Sequence, residues 1–241
     1  MGKLKTIVAF SGGKDSTAML LRMLELGEKI DYIIFADTEF EYPELYDYIN
    51  KIEKIIGREI IKVKSKKKFE EWMFGKLVNG KNKGKIRGFP FILSPCFWHR
   101  EAKKYAVDRF LKGIKHIRCI GIASDEKKRI QKDKTLRYPL IEWGWTEQDC
   151  INYLEQKGLL NPLYKRFKRI GCFCCPKQNE DSRYKTWLYY PELWKKIECF
   201  EKENLRICNR HIFAKPLEDY IKKFKTKTHK KTNGTNQLKP V

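Results

Sequence analysis

Six residues near the N-terminus, Ser11-Gly12-Gly13-Lys14-Asp15-Ser16, bring together two glycines, an ammonium and two hydroxyls. Glycines let the backbone approach a ligand without a Cβ in the way, and amides at a following helix N-terminus point at a bound anion. Lys14 adds a mobile cation, and Ser11 and Ser16 add hydroxyl donors. This is chemistry for gripping phosphate, although it is not the Walker pattern, since only two residues separate Ser11 from Lys14. The plainer alternative is a Gly-rich turn capped by Asp15 or Ser16. A second cluster holds thiols: Cys172, Cys174 and Cys175 fall within four residues, and Cys96 stands upstream in SPCFWHR. The Cys172-x-x-Cys175 spacing lets two thiolates face one metal centre, as an iron–sulfur cluster or tetrahedral zinc requires. Zinc could take Cys96-x-x-His99 with the same pair; plain buried thiols are the remaining option.

The elements that position these groups are legible. Residues 5–10 (KTIVAF) form a short apolar run that stops at the Gly-rich turn, as a buried parallel strand does. Helical spacing follows over 16–26. A second strand at 31–36 ends at Asp37, and Pro43 opens a helix to about Ile56. Residues 59–63 and 116–122 read as further strands, and 97–112, 146–157 and 190–204 as helices. Residues 64–93 are basic and weakly periodic, and read as a loop or insertion. The alternation implies an α/β fold with a parallel sheet covered on both faces. Cys119, Cys150 and Cys199 read as packing residues, as do Trp143 and Trp145.

Composition narrows the class. Of 241 residues, 52 are Lys or Arg and 30 Asp or Glu, a net charge of +22 that favours an anionic partner, nucleic acid first; a solvated surface is the bland alternative. Residues 62–87 carry ten basic and two acidic side chains with Trp72 and Phe74 interleaved, and 221–241 carry seven lysines and no acid. A hydrophobic share of 41% excludes general disorder. No apolar run approaches the ~20 residues of a membrane helix, and the first residues lack a secretory signal. A cytoplasmic protein without a membrane partner is the expectation.

The Ser11–Ser16 hexapeptide after an N-terminal strand resembles the pyrophosphate loop of the PP-loop ATP pyrophosphatase superfamily. That resemblance implies cleavage of ATP between the α and β phosphates with Mg²⁺, to adenylate a substrate. It places Ser11, Gly12, Gly13, Lys14, Asp15 and Ser16 on the nucleotide, with Lys14, Asp15 and Asp37 in catalysis. Asp37, in ADTEFEYPE, matches the family's acidic position, where it would help hold Mg²⁺ or order the loop lysine; it could instead cap the helix opened by Pro43. A second ordered set, Tyr138-Pro-Leu-Ile-Glu-Trp143, Thr146-Glu-x-Asp149, Asn161-Pro-Leu-Tyr164 and Ile170-Gly-Cys172-x-x-Cys175, resembles the phosphoadenylyl-sulfate and adenylyl-sulfate reductase family over roughly residues 5–178. Gly121 and Arg129 sit where that family has its substrate loop, although Ala123 and Ser124 replace its arginines.

The resemblance implies an adenine nucleotide alpha hydrolase-like, five-stranded-type sheet over 1–180, with the basic insertion at 64–93. A cysteine-containing helical region over 181–225 and a disordered basic tail over 226–241 would follow. It also implies a 4Fe-4S cluster on Cys96, Cys172, Cys175 and Cys174, with zinc as the alternative. Phe97 replaces the second cysteine of the family's upstream pair, so Cys174 would close the site or carry sulfur catalytically. Two departures point away from a reductase: the phosphate loop is intact, and the terminal reductase cysteine motif is missing, Cys208 lying in RICNRH. The chain thus looks like an ATP-using branch, akin to DNA phosphorothioation and cluster-dependent tRNA thiolation proteins. Its expected partners are ATP, a DNA or tRNA acceptor and a sulfur-donor protein. A reductase of sulfate assimilation is the alternative.

Overall fold

The computed structural model describes residues 3–234, in two units. In chain order the elements are β1 (Lys5–Phe10), α1 (Lys14–Glu25), β2 (Tyr32–Asp37), α2 (Pro43–Ile56), β3 (Ile61–Lys64) and α3 (Phe69–Met73). They continue with α4 (Tyr105–Phe110), β4 (His116–Ile120), β5 (Leu136–Arg137), α5 (Pro139–Glu142) and α6 (Glu147–Gln156). The last three are α7 (Glu180–Tyr189), α8 (Pro191–Cys208) and α9 (Leu217–Gly234).

The first unit, Met1–Lys66 with Trp98–Cys172, holds a five-stranded sheet in the order β3-β2-β1-β4-β5, parallel throughout. Central strands of such sheets lie under helices on both faces, so they are apolar in succession: Ile7, Val8 and Phe10 of β1 and Ile33, Ile34 and Phe35 of β2 are all buried. α1 and α2 present Ala18, Met19, Leu20 and Met23, and Leu45, Ile49 and Ile52, to the interior. Pro43 supplies the first turn of α2, and Gly57, at φ 61°, ends it. The chain runs outward from β1 to β3 and then restarts beside β1 with β4. Strand order therefore reverses between β1 and β4, and the crevice at their carboxyl ends is where such sheets bind ligands. β5, two residues long, is too short to have left a periodic signal in the sequence.

The second unit joins Lys67–Phe97 to the residues from Phe173 onward. The expected loop at 64–93 thus contains α3 and a hairpin closed by the Lys76–Ile86 bridge. Phe69 and Phe89 pack with Phe200 of α8 and Phe97 stacks on Phe69, with ring centroids 5.4–5.9 Å apart, which ties the insertion to the C-terminal helices rather than to a separate domain ending at 180. Gly88 at the hairpin base, at φ +72°, has Asn204 Oδ1 and Cys208 Sγ where a Cβ would lie 2.7 Å away. A second aromatic group, Tyr184, Trp187, Trp194 and Tyr220, surrounds Phe224. α9 runs through residues 226–234, part of the tail expected to be disordered, because Tyr220 and Phe224 anchor it and lysine is a good helix former; 235–241 lie outside the described residues. Cys199 is exposed instead of packed, since it falls off the buried stripe of Trp194, Ile197, Glu201 and Asn204 on α8. Among the described residues no helix is long and apolar enough to cross a membrane.

Candidate nucleotide-binding site

β1 ends at Phe10, and residues 11–13 turn the chain into α1 at the carboxyl edge of the sheet. Gly12 adopts φ +71°, a left-handed conformation, and a Cβ there would stand 2.5 Å from Leu45 Cδ1. The turn is braced from within: Ser16 Oγ accepts from Ser11 N at 3.1 Å and donates to Gly13 O, while Thr17 Oγ1 donates to the same carbonyl at 2.9 Å. It is also braced from the Asn161–Tyr164 segment. Asn161, almost wholly buried, donates Nδ2–H to Gly12 O at 2.9 Å, and the Tyr164 hydroxyl accepts from Lys14 N at 2.9 Å. Across the crevice Gly121 follows β4, and a Cβ there would meet the Ser16 and Asp15 backbone at 2.8–2.9 Å. The loop can sit against β4 only because position 121 lacks a side chain.

Lys14 is 6% exposed and paired with both Asp15, at 2.9 Å, and Glu147. Burial opposes its charge, but the two carboxylates outweigh that and hold the ammonium above its ordinary pKa. Asp15 moves the opposite way in charge: burial raises its pKa, Lys14 offsets this in part, and Glu147 and Glu126 add to the rise. Carboxylate oxygens of Asp15, Glu126 and Glu147 lie within 4.8 Å of one another, with Lys14 paired to Asp15 and Glu147 and Arg129 paired to Glu126. Three convergent carboxylates in a half-buried cluster are oxygen donors of the kind a hard divalent cation takes. Glu147 is placed by the capping box of α6, where the Thr146 hydroxyl accepts from Asp149 N and the Asp149 carboxylate from Thr146 N.

Three cavities lie in succession here. A cavity of about 400 Å³ is lined by Ile7, Ala9, Ile34, Val107 and Ile120, with the cations Lys103, Lys104, Arg118 and Arg129 at its margins. It shares Ser11, Ser16, Gly121 and Arg129 with a small polar crevice of about 150 Å³ over the loop. That crevice shares Lys14, Glu126, Glu147 and Tyr164 with a groove of about 630 Å³ beyond it. The lining thus passes from apolar side chains to the amides and cations of the loop.

Residues 5–178 match the model of the phosphoadenosine phosphosulfate reductase domain. The chain belongs to this family. It is 28% identical over 215 residues to the uncharacterized protein MJ0066 of Methanocaldococcus jannaschii, and 25% identical over 201 residues to the uncharacterized protein MJ0973 of the same organism. These stretches cover 81% and 78% of this chain but 41% and 45% of the relatives, so the chain spans less than half the length of the curated relatives it matches. A crystal structure of phosphoadenylyl-sulfate reductase from Candida auris, in complex with phosphate, superposes with a TM-score of 0.49 at 19% identity, covering 71% of this chain and 82% of that one. Family membership makes this a nucleotide-utilising type of domain.

The expected site residues divide. Ser11, Gly12, Gly13, Lys14, Asp15, Ser16, Gly121 and Arg129 gather at the carboxyl edge of β1 and β4. Asp37 ends β2, where its carboxylate accepts from Glu39 N and Tyr46 Oη at 2.8 Å each; the ordering of Lys14 expected from it falls to Asp15 and Glu147 instead. Burial and the Asp37 charge raise the Tyr46 pKa and keep that phenol a donor. His99, weighed as a zinc ligand, lines the apolar cavity, placed there by a π-helical turn over His99–Lys104 inside the segment expected to be regular helix.

Among the cysteines, Cys172 closes the first unit with Sγ 3.4 Å from Thr38 Oγ1. Cys96, Cys174 and Cys175 belong to the second unit. Burial raises the Cys175 thiol pKa, and nearby Cys96 adds to the rise. At 3% exposure Cys174 fits a ligand better than a sulfur carrier, which donor and acceptor must both reach. Trp72 is no open stacking platform, since Arg87 and Lys67 stand 5.3 and 5.7 Å from its ring centroid; Phe74 remains 40% exposed. Sequence reasoning missed Glu147, Asn161 and Tyr164 as partners of the loop, although all three lie inside the motifs that carry the family resemblance.

Proposed function

We propose that the protein splits ATP into AMP and pyrophosphate to adenylate an acceptor, which then receives sulfur. The observation that carries this is the succession of cavities around an intact phosphate loop: an apolar one for the adenosine, then the polar crevice for the phosphates, opening into a groove beyond. An acceptor oxygen would attack the α-phosphorus in line with and opposite the oxygen that bridges to the β-phosphate, and the bond to that bridging oxygen would break. Lys14 and the first amides of α1 would stabilise the departing pyrophosphate. A hydrosulfide-level sulfur from a donor protein would then add to the activated carbon, and AMP would leave with the former acceptor oxygen. Asp15, Glu126 and Glu147 would hold Mg²⁺, which neutralises phosphate charge. Released AMP and pyrophosphate are the direct assay: the wild type should form both from ATP, and a Lys14→Ala variant with unchanged turnover would refute the proposal.

The thiols of Cys96, Cys174 and Cys175 suit an iron–sulfur cluster by donor chemistry. They include the half-buried Cys175 thiol with the Cys96 thiol nearby, and metal coordination would deprotonate both. Such a cluster supplies soft-metal sulfur chemistry when bound. A DNA or tRNA acceptor is supported by the hairpin of the second unit, where Lys76, Lys81, Lys83 and Lys85 are exposed and the sequence from 72 to 100 contains no acidic residue.

The family match favours a second reading, reduction of adenylyl or phosphoadenylyl sulfate. Release of sulfite from adenylyl sulfate, with a thiol reductant present and no ATP, would decide for it.

A further inference from the structure

Lys168 and Arg169 line both the crevice over the phosphate loop and the groove beyond it. Their chain is held just upstream. Arg166 pairs with Glu44 at 2.9 Å, and Phe167, 2% exposed, lies 4.7 Å from the Tyr42 ring. The remaining charged groups of the crevice are mutually committed: Lys14 to Asp15 and Glu147, and Arg129 to Glu126. Among the described residues, Lys168 and Arg169 alone of this set have no ion-pair or hydrogen-bond partner. The four cations exceed the three carboxylates by one charge, and that surplus comes from this pair.

We propose that Lys168 and Arg169 form a second anion clamp that takes the β- and γ-phosphates of a nucleoside triphosphate. The clamp would make the crevice select polyphosphates over a nucleoside monophosphate or adenylyl sulfate. It rests on the ATP reading above for the identity of the nucleotide, but the diphosphate site itself stands on the crevice and its charges. The phosphates beyond the α position carry most of the charge of ATP. Lys14 enters the crevice already neutralised, so attraction for that charge must come from elsewhere. A guanidinium can grip a phosphate through two parallel bonds, while an ammonium adds a mobile point charge. Adenylyl sulfate, with one charge on its terminal sulfate, gives such a clamp much less to hold.

The test is calorimetric titration of the full chain with inorganic pyrophosphate, ATP and AMP at one salt concentration, before and after Lys168→Gln with Arg169→Gln. Both residues are exposed, so circular dichroism should report an unchanged fold. Charge-assisted contacts of this kind are each worth roughly tenfold or more in affinity, so the double variant should lose about 100-fold toward pyrophosphate and ATP while AMP changes less than about threefold. A single Arg169→Lys variant should retain part of the pyrophosphate affinity. Failure of wild type to bind pyrophosphate, equal wild-type affinities for ATP and AMP, or unchanged pyrophosphate affinity in the double variant would each overturn the clamp. The two proposals separate cleanly. Pyrophosphate affinity lost in the variant, with no AMP formed by wild type, would leave the clamp standing and remove adenylation; AMP formation with an indifferent double variant would do the reverse.

Discussion

Gly121→Ala tests whether the phosphate loop depends on its seat against β4. The added methyl would stand 2.8 Å from Ser16 N and 2.9 Å from Asp15 C and Ser16 Cα, about 0.5 Å inside ordinary contact. All three atoms are backbone, so no side chain can rotate away; either α1 retreats from the sheet or β4 does. α1 is pinned behind by Ala18, Met19 and Leu20, each 0% exposed, so the strain should fall on the loop itself. Overpacking of this kind costs about 1–3 kcal/mol, or roughly 2–12 °C in melting temperature for a chain of this size. Misplacing the first amides of α1 by about half an ångström should cost between ten- and a hundredfold in ATP turnover, a larger fraction of function than of stability. Gly171→Ala is the control, because nothing lies within 4 Å of its Cβ position. Melting curves and AMP release on the same preparations read both effects. Full turnover in Gly121→Ala, with stability lowered or not, would refute the seat as a determinant of the loop.

Other outcomes come from the same kind of contact. Asn161→Ala should cost about 2–4 kcal/mol by urea unfolding, since it strands the Gly12 carbonyl and the Leu163 amide in a buried position. Anaerobically purified protein should carry iron and lose it in Cys175→Ala; colourless wild type with stoichiometric zinc would remove the cluster. Replacing Lys81, Lys83 and Lys85 by Gln should weaken single-stranded nucleic acid binding and flatten its salt dependence by about 2 in log–log slope, measured by fluorescence anisotropy. Asp31 is held below its ordinary pKa by the hydrogen bond from Lys5 and by Thr6 N, so its contribution to stability is present above its unfolded value and lost as pH falls through the depressed one. The melting-temperature penalty of Asp31→Asn should accordingly be steady near neutral pH and vanish as pH falls through the depressed carboxylate value.

What the sequence determined by itself was local. The run KTIVAF, stopped by two glycines and followed by helical spacing, specifies a strand, a turn and a helix through contacts between near neighbours. β1 spans the residues expected of it, α2 opens at the expected Pro43, and the phosphate loop stands between strand and helix. The order of the motifs along the chain likewise carried the family over residues 5–178. The tertiary structure decided what those elements meet. Glu147, 133 residues from Lys14, becomes its counter-ion, and Asn161 and Tyr164 clasp a loop some 150 residues away, because α6 and the turn after it are folded against α1. Asp37 ends β2 as its place in the sequence implied, and the fold adds the partners of its Oδ1, Tyr46 Oη and Glu39 N. The basic stretch after β3 looked like a loop because its periodicity is weak, while Phe69 and Phe89 find a distant partner in Phe200. Spacing along a chain reports which groups share a turn or a face; which charges cancel is set by distances in space, and only the folded sheet and its helices supply those.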